Sequence, residues 1–408
     1  MESLRDRMAA MNAAAPDREQ VVRRYLDNSA TTPLCDEARQ AMLRAMDVYG
    51  NPSSLHAAGQ EAAMLLRTAR GQVAGALGVR NPVPGEVLFT ACGTEASNTA
   101  ILGTVYAKKH RVGNRIITTD CEHPSVEEVM KRLEAGGFDV VRVPTKGGVL
   151  DREAALAALE VPTLLVSMMM VNNETGAAFD VSDVFKAAKR KNPATITHCD
   201  AVQGFLKLPF APASIGADLV TVSGHKIHGP KGVGALYVSP ALIRQKALQP
   251  YLIGGGQESG LRSGTENMVG ICGFGAAAEA GYARLNEHIA HMVSLRDALV
   301  DGLCEAGIQV NVPAGRRAPH IVNLTLPDIK SQTMLNYLSE RGICVSSGSA
   351  CAAHGGKTSR SLLAFGLTPH EADCSLRVSL SAFNTAEDVQ ALLTALREGC
   401  SRLVRIKR

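Results

Sequence analysis

Over its first two thirds, the chain alternates short unbroken apolar runs with stretches whose apolar residues recur at helical spacing. Residues 55–78 repeat small and apolar side chains at that spacing, and Gly78 stands where a helix would stop. Residues 86–90 read as a strand that runs into Ala91-Cys92-Gly93-Thr94-Glu95, and a helical pattern follows through Ala100, Ile101 and Val105. Further strand-like runs cover 115–118, 140–143, 163–171, 195–199, 219–222 and 234–238. Unbroken apolar strands separated by helices are buried on both faces, which predicts an α/β fold of three layers around a mainly parallel central sheet. Polar residues at the ends of those strands become the candidates for chemistry.

Beyond about Gly281 the pattern changes to a long helix and then short strands, at 320–325, 343–346 and 375–380, between helices. That order predicts a smaller α+β domain. The expected division is a large α/β domain over 35–285 and a small domain built from 1–34 and 286–408, with no internal repeat and no low-complexity linker.

Composition narrows the class. The 408 residues are 46% hydrophobic and 20% charged, ordinary for a globular protein, and the core must be aliphatic because Trp is absent and aromatics reach only 4%. Lys plus Arg number 43 against 39 acidic residues, with no basic stripe, so nucleic acid is not a primary partner. The apolar runs fall short of the roughly 18 residues a membrane helix needs, and no direct membrane contact is expected. The first twenty residues carry Glu2, Asp6, Asp17 and Glu19 and resemble neither a secretory signal nor a transit peptide. Ten cysteines without any Cys-x-x-Cys pair fit reduced thiols in a cytoplasm, most of them small core residues, with no metal site.

Ser223-Gly224-His225-Lys226 directly follows a buried strand. A lysine at such an edge carries its charge at a cost, and its amine is a ready imine-former; the alternative is a surface lysine in a Gly-rich turn. His198-Cys199-Asp200-Ala201-Val202-Gln203 ends another strand. Asp200 is suited to hold the protonated ring nitrogen of a cofactor such as pyridoxal phosphate, with Gln203 toward the ring hydroxyl; the alternative for Asp200 is a helix cap. Cys92-Gly93-Thr94, between strand and helix, offers backbone N–H groups and a hydroxyl to a phosphate, although Gly-Thr turns are commonplace. Asn172-Asn173-Glu174-Thr175-Gly176 adds amides at the same sheet edge or is simply a turn. Ser346-Ser347-Gly348-Ser349-Ala350-Cys351 lies in a Gly-rich segment with little to bury, so its thiol is a plausible delivery nucleophile on a mobile loop. Arg377, inside a strand-like run, binds a substrate carboxylate or forms a buried ion pair.

Together these residues resemble the cysteine desulfurases, fold type I pyridoxal-phosphate enzymes of the class V aminotransferase family. The likeness runs through Tyr25-Leu-Asp-Asn-Ser-Ala-Thr-Thr-Pro33, Gly50 to His56, Glu122-His123, Val171 to Gly176, His198 to Gln203, Ser223 to Lys226, Gly254 to Thr265, Ser346 to Cys351 and Ser375 to Leu380. The resemblance implies that Lys226 joins the cofactor and moves the substrate α-proton, while His123 stacks on the ring and shuttles protons. It places Asp200 at the ring nitrogen, and Asn173 and Gln203 near the ring hydroxyl. Gly93, Thr94, Ser223 and His225 would hold the phosphate, with Thr265 reaching across from the second subunit of a homodimer. Arg377, with Asn173, would hold the carboxylate of L-cysteine. Cys351 would take its sulfur as a persulfide, releasing alanine, for a protein acceptor in iron–sulfur cluster assembly or in tRNA or cofactor thiolation.

Other readings remain at this stage. A selenocysteine lyase or another pyridoxal-phosphate C–S lyase keeps the cofactor and changes the substrate; a non-catalytic scaffold for sulfur-transfer partners keeps neither. Cys92 stands where Ser or Gly is more usual in the family, and Glu95-Ala-Ser-Asn98 departs by one residue from the usual Glu-Ser-Asn-Asn.

Overall fold

A computed structural model describes residues 23–108, 112–347 and 358–404. Seven strands form the central sheet: β1 (Val87–Thr90), β2 (Arg115–Thr119), β3 (Asp139–Val143), β4 (Thr163–Met169), β5 (Ile196–Asp200), β6 (Leu219–Ser223) and β7 (Gly234–Val238), in the spatial order β1-β7-β6-β5-β4-β2-β3. Most are buried along their whole length, which is why they read as unbroken apolar runs. Asp139–Val143 and Val87–Thr90 are the two edge strands; the first carries the partly exposed, polar positions, and the second is buried throughout.

The pairs from β3 to β6 are parallel, but β7 runs antiparallel to both β6 and β1. The link between Ser223 and Gly234 is too short for the helical crossover that a parallel pair requires, so the chain turns straight back. Two reversals in succession restore the direction, and β1 points the same way as β2, β4, β5 and β6. All five therefore deliver their C-terminal loops to one sheet edge. Flanking helices include α1 (Asp36–Met46), α2 (Ala57–Ala76), α3 (Gly93–Lys108), α4 (Pro124–Ala135) and α5 (Met268–Ala283).

After the long helix α6 (Leu285–Glu305), a three-stranded antiparallel sheet runs in the order β8 (Gln309–Val310), β9 (Ile321–Thr325), β10 (Ser375–Ser379), and α7 (Ala386–Arg402) closes it. Leu26, near the start of the chain, is packed in this second core with Leu299, Leu324, Leu376 and Leu392. The thiols are less uniform than expected. Cys35, Cys121, Cys199, Cys272 and Cys374 are buried, but Cys304 is exposed, because it lies on the outward face of α6 near its end.

Candidate active site

A cavity of about 260 Å³ opens at the C-terminal edge of the central sheet. Gly93, Thr94, His123, Asn173, Asp200, Gln203, Ser223, His225, Lys226 and Arg377, all singled out from sequence, line it. Thr265 is exposed and does not line it, and Cys351 lies outside the described residues.

Lys226 ends the single 3-10 turn Gly224–Lys226 that follows β6. Its ammonium donates to the backbone carbonyls of Ser29 and Ala30, both at 2.7 Å, and these residues also line the cavity. Asp200, at the end of β5, accepts the Val202 N–H at 3.0 Å. Burial raises its carboxyl to about 6, against the opposing pull of that N–H and of the Lys226 charge. It is therefore largely ionised at neutral pH and suited to a cationic ring nitrogen.

His123 caps α4. Its Nδ1 accepts the Ser125 N–H at 3.1 Å, which assigns the proton of the neutral ring to Nε2. Burial, reinforced by Lys226, lowers its pKa to about 4, so it meets a ligand as a neutral ring. His225 is likewise lowered to about 4, by burial and then by Lys226 and Lys231, with Nδ1 3.2 Å from the Thr31 hydroxyl.

At the phosphate end, Gly93 opens α3, so Gly93 and Thr94 present the first N–H groups of a sixteen-residue helix. A side chain at Gly93 would crowd Val202 Cγ2 at 3.1 Å. Ser223 Oγ beside it is buried and has no hydrogen-bond partner among the described residues. An orphaned hydroxyl beside a helix N-terminus fits a phosphate, and Asp200 and Lys226 fit the remainder of pyridoxal phosphate.

Arg377, on β10, is 1% exposed. The ion-pair reading is the one observed: Nη2 pairs with Asp27 Oδ1 at 2.7 Å and Nη1 donates to the Asn173 carbonyl at 3.0 Å, while Nε has no partner among the described residues. Gln203 donates Nε2 to the Ser29 carbonyl at 2.9 Å and its Oε1 lies 3.3 Å from His320 Nε2, so protein groups already engage both ends of its amide. Sequence reasoning placed Asp27, Ser29 and Ala30 in the Tyr25 to Pro33 motif without giving them a role, and it missed His320.

Glu122 directly precedes His123. Its Oε1 accepts from Thr119 Oγ1 at 2.7 Å and the Met169 N–H at 2.8 Å, Oε2 has no partner among the described residues, and burial raises its pKa from 4.5 to about 8. Between those values the folded chain keeps a proton that the unfolded chain has released, so this group lowers stability progressively as pH rises across that window. Glu122→Gln is expected to flatten that decline, measured by urea unfolding at a series of pH values; a slope as steep as the parent's places the proton elsewhere.

The family model for class-V aminotransferases matches residues 24–392. The chain belongs to that family. A protein of Trichormus azollae named cysteine desulfurase is 39% identical over 383 residues, 93% of each chain. A solved NifS-like protein superposes with a TM-score of 0.86 at 38% identity, covering 94% of this chain and 100% of that one. A structure described as SspA in complex with cysteine reaches a TM-score of 0.75 at 31% identity, covering 89% and 100%. Within this family the shared fold places the cavity, and the side chains in it decide the reaction.

Proposed function

We propose that the chain is a pyridoxal-phosphate-dependent cysteine desulfurase that converts L-cysteine to L-alanine and leaves a persulfide on Cys351. The observation that carries this is the convergence of Lys226, Asp200, His123 and Arg377 on one cavity whose far end is a phosphate-type cradle. When bound, pyridoxal phosphate supplies an electron sink for the charge left by removal of the α-proton. Gly93, Thr94, Ser223 and His225 would hold its phosphate, Asp200 its ring nitrogen, and Asn173 with Gln203 the side bearing its hydroxyl.

The protein's own groups do the rest. Arg377 orients the substrate carboxylate, and the Asp27 pair fixes its fork. Lys226 moves the α-proton, steadied by two carbonyls. His123 covers the ring and carries a proton on Nε2 for exchange with the substrate thiol. The Cys351 thiolate attacks the substrate sulfur; the new S–S bond forms as the Cβ–S bond breaks, Cβ takes a proton, and Lys226 returns the α-proton to Cα to leave alanine. The sulfur then passes to a protein acceptor, and iron–sulfur cluster assembly is the proposed destination, in the cytoplasm.

We propose a homodimer in which Thr265 of one copy completes the phosphate site of the other. Residues 35–285 would form the cofactor-bearing unit, and 1–34 with 286–408 the smaller one; the separate core that joins Leu26 to α6 and α7 supports that division. The deciding experiment incubates the protein with cysteine and measures alanine and protein-bound persulfide together. Alanine with free sulfide and no persulfide would favour a C–S lyase, and neither product would end the enzymatic reading.

Arg377→Met is expected to raise KM for cysteine by about 30- to 100-fold, the loss of roughly 2–3 kcal/mol of charge-assisted bonding to a carboxylate. The check is steady-state kinetics with cysteine; an unchanged KM assigns Arg377 solely to its ion pair with Asp27.

A further inference from the structure

We propose that a second cavity, floored by Lys207, is a binding site for a small zwitterionic α-amino acid. It measures about 240 Å³ and shares no lining residue with the catalytic cavity. Lys207 is only 6% exposed, and among the described residues no carboxylate lies within ion-pair distance of it. Burial alone lowers its ammonium to about 8, so the group remains mostly charged at neutral pH. An uncompensated buried cation is a costly feature, and a cavity beside it is where a compensating anion fits.

The rim has the opposite character. Asp36 and Glu37, in the first turn of α1, are exposed and line the opening. The other charged groups there offset them only in part: Arg284 is paired chiefly with Glu287 at 2.6 Å and feels Glu37 more weakly, and burial, then Arg284, lowers the pKa of His288, which leaves it neutral. His228 adds no positive charge, since burial, then Lys207, lowers its pKa to about 3; its Nδ1 donates to the Pro33 carbonyl at 2.9 Å. The apolar lining includes Leu206, Ile227 and, half exposed, Phe383. A cation below, carboxylates above and an apolar lining match a carboxylate, an ammonium and a small aliphatic side chain in that order.

The position gives this site a reach into catalysis. Ile227 follows Lys226 directly, and Lys207 closes the turn Gly204–Lys207 that directly follows Gln203, its N–H bonded to the Gly204 carbonyl at 3.0 Å. An occupant therefore bears on two segments that line the catalytic cavity.

Carbamylation by cyanate reads the site at Lys207 itself. The holoenzyme is treated with cyanate near pH 8, and modification of Lys207 is followed by peptide mass spectrometry. L-Alanine is expected to slow it about tenfold at roughly ten times its dissociation constant. Equimolar acetate or ethylamine, each carrying one of the two charges, should slow it far less. Asp36→Asn combined with Glu37→Gln, both exposed positions, should weaken protection by alanine several-fold and leave that by acetate unchanged. Acetate protecting as well as alanine overturns the zwitterion assignment, and so does a double variant still fully protected. Lys207 unreactive in free enzyme, or unprotected by alanine, removes the site altogether. Repeating the protection in Lys226→Ala keeps the result apart from the catalytic cavity; protection lost there assigns the effect to that cavity and overturns the proposal.

Discussion

Lys226→Ala is expected to lower alanine formation from cysteine by at least about a thousandfold, with the fold intact. Lys226 is the only lysine among the described residues lining the cavity, so no second amine stands ready to move the α-proton. His123 is a poor replacement, because it is held neutral with Nδ1 engaged by α4 and its conjugate acid forms only near pH 4. The Ser29 and Ala30 carbonyls that lose their donor belong to a segment with other anchors: Ser29 N–H bonds Ser379 Oγ at 2.8 Å, and Ala30 N–H bonds the Asp27 carbonyl at 3.0 Å. Unfolding temperature should therefore shift little. A small primary amine such as ethylamine is expected to restore part of the rate by entering the space the side chain leaves. Steady-state alanine production, with circular dichroism melting alongside, makes the measurement. A variant that keeps more than about one tenth of the parent rate would remove Lys226 from the proton transfer.

The fold was legible because its central strands are buried on both faces and their apolar runs carry no competing period. The direction of β7 was not, since an apolar run reads alike either way and only the short link after Ser223 reveals the reversal. Lys226, Asp200 and Gly93 were legible because each stands where a buried run stops at a polar or glycine-containing turn. Ser29 and Ala30 act through backbone carbonyls, which no side-chain type announces. Asp27 acquires its role from Arg377, 350 positions away, and local pattern holds no trace of such a pair. His320 is a similar case: it joins Gln203 from the start of β9, across 117 positions.

Cys351→Ser should abolish the protein-bound persulfide and reduce alanine formation by about a hundredfold or more, whereas Cys92→Ser should retain both activities. Most other thiols are excluded physically. Burial pushes Cys121 up to about 12 and raises Cys199 well above its ordinary range, and Cys35, Cys272 and Cys374 are buried and raised as well. A thiol that stays protonated is a weak nucleophile. Cys304 is exposed on α6 and Cys400 lies on α7, while Cys344 is half-buried in the short strand Ile343–Cys344; none lines the catalytic cavity. Cys92 does line it, but it immediately precedes α3 beside the proposed phosphate cradle, whereas the proposed substrate contacts are Lys226 and Arg377. Serine at 92 keeps a hydrogen-bond donor of similar size for the phosphate, so cofactor retention should be preserved. Intact mass after incubation with cysteine reads one added sulfur atom, and peptide mapping locates it. Sulfur found on Cys92, or undiminished alanine from Cys351→Ser, would move the accepting thiol into the cavity wall and remove the need for a delivery loop.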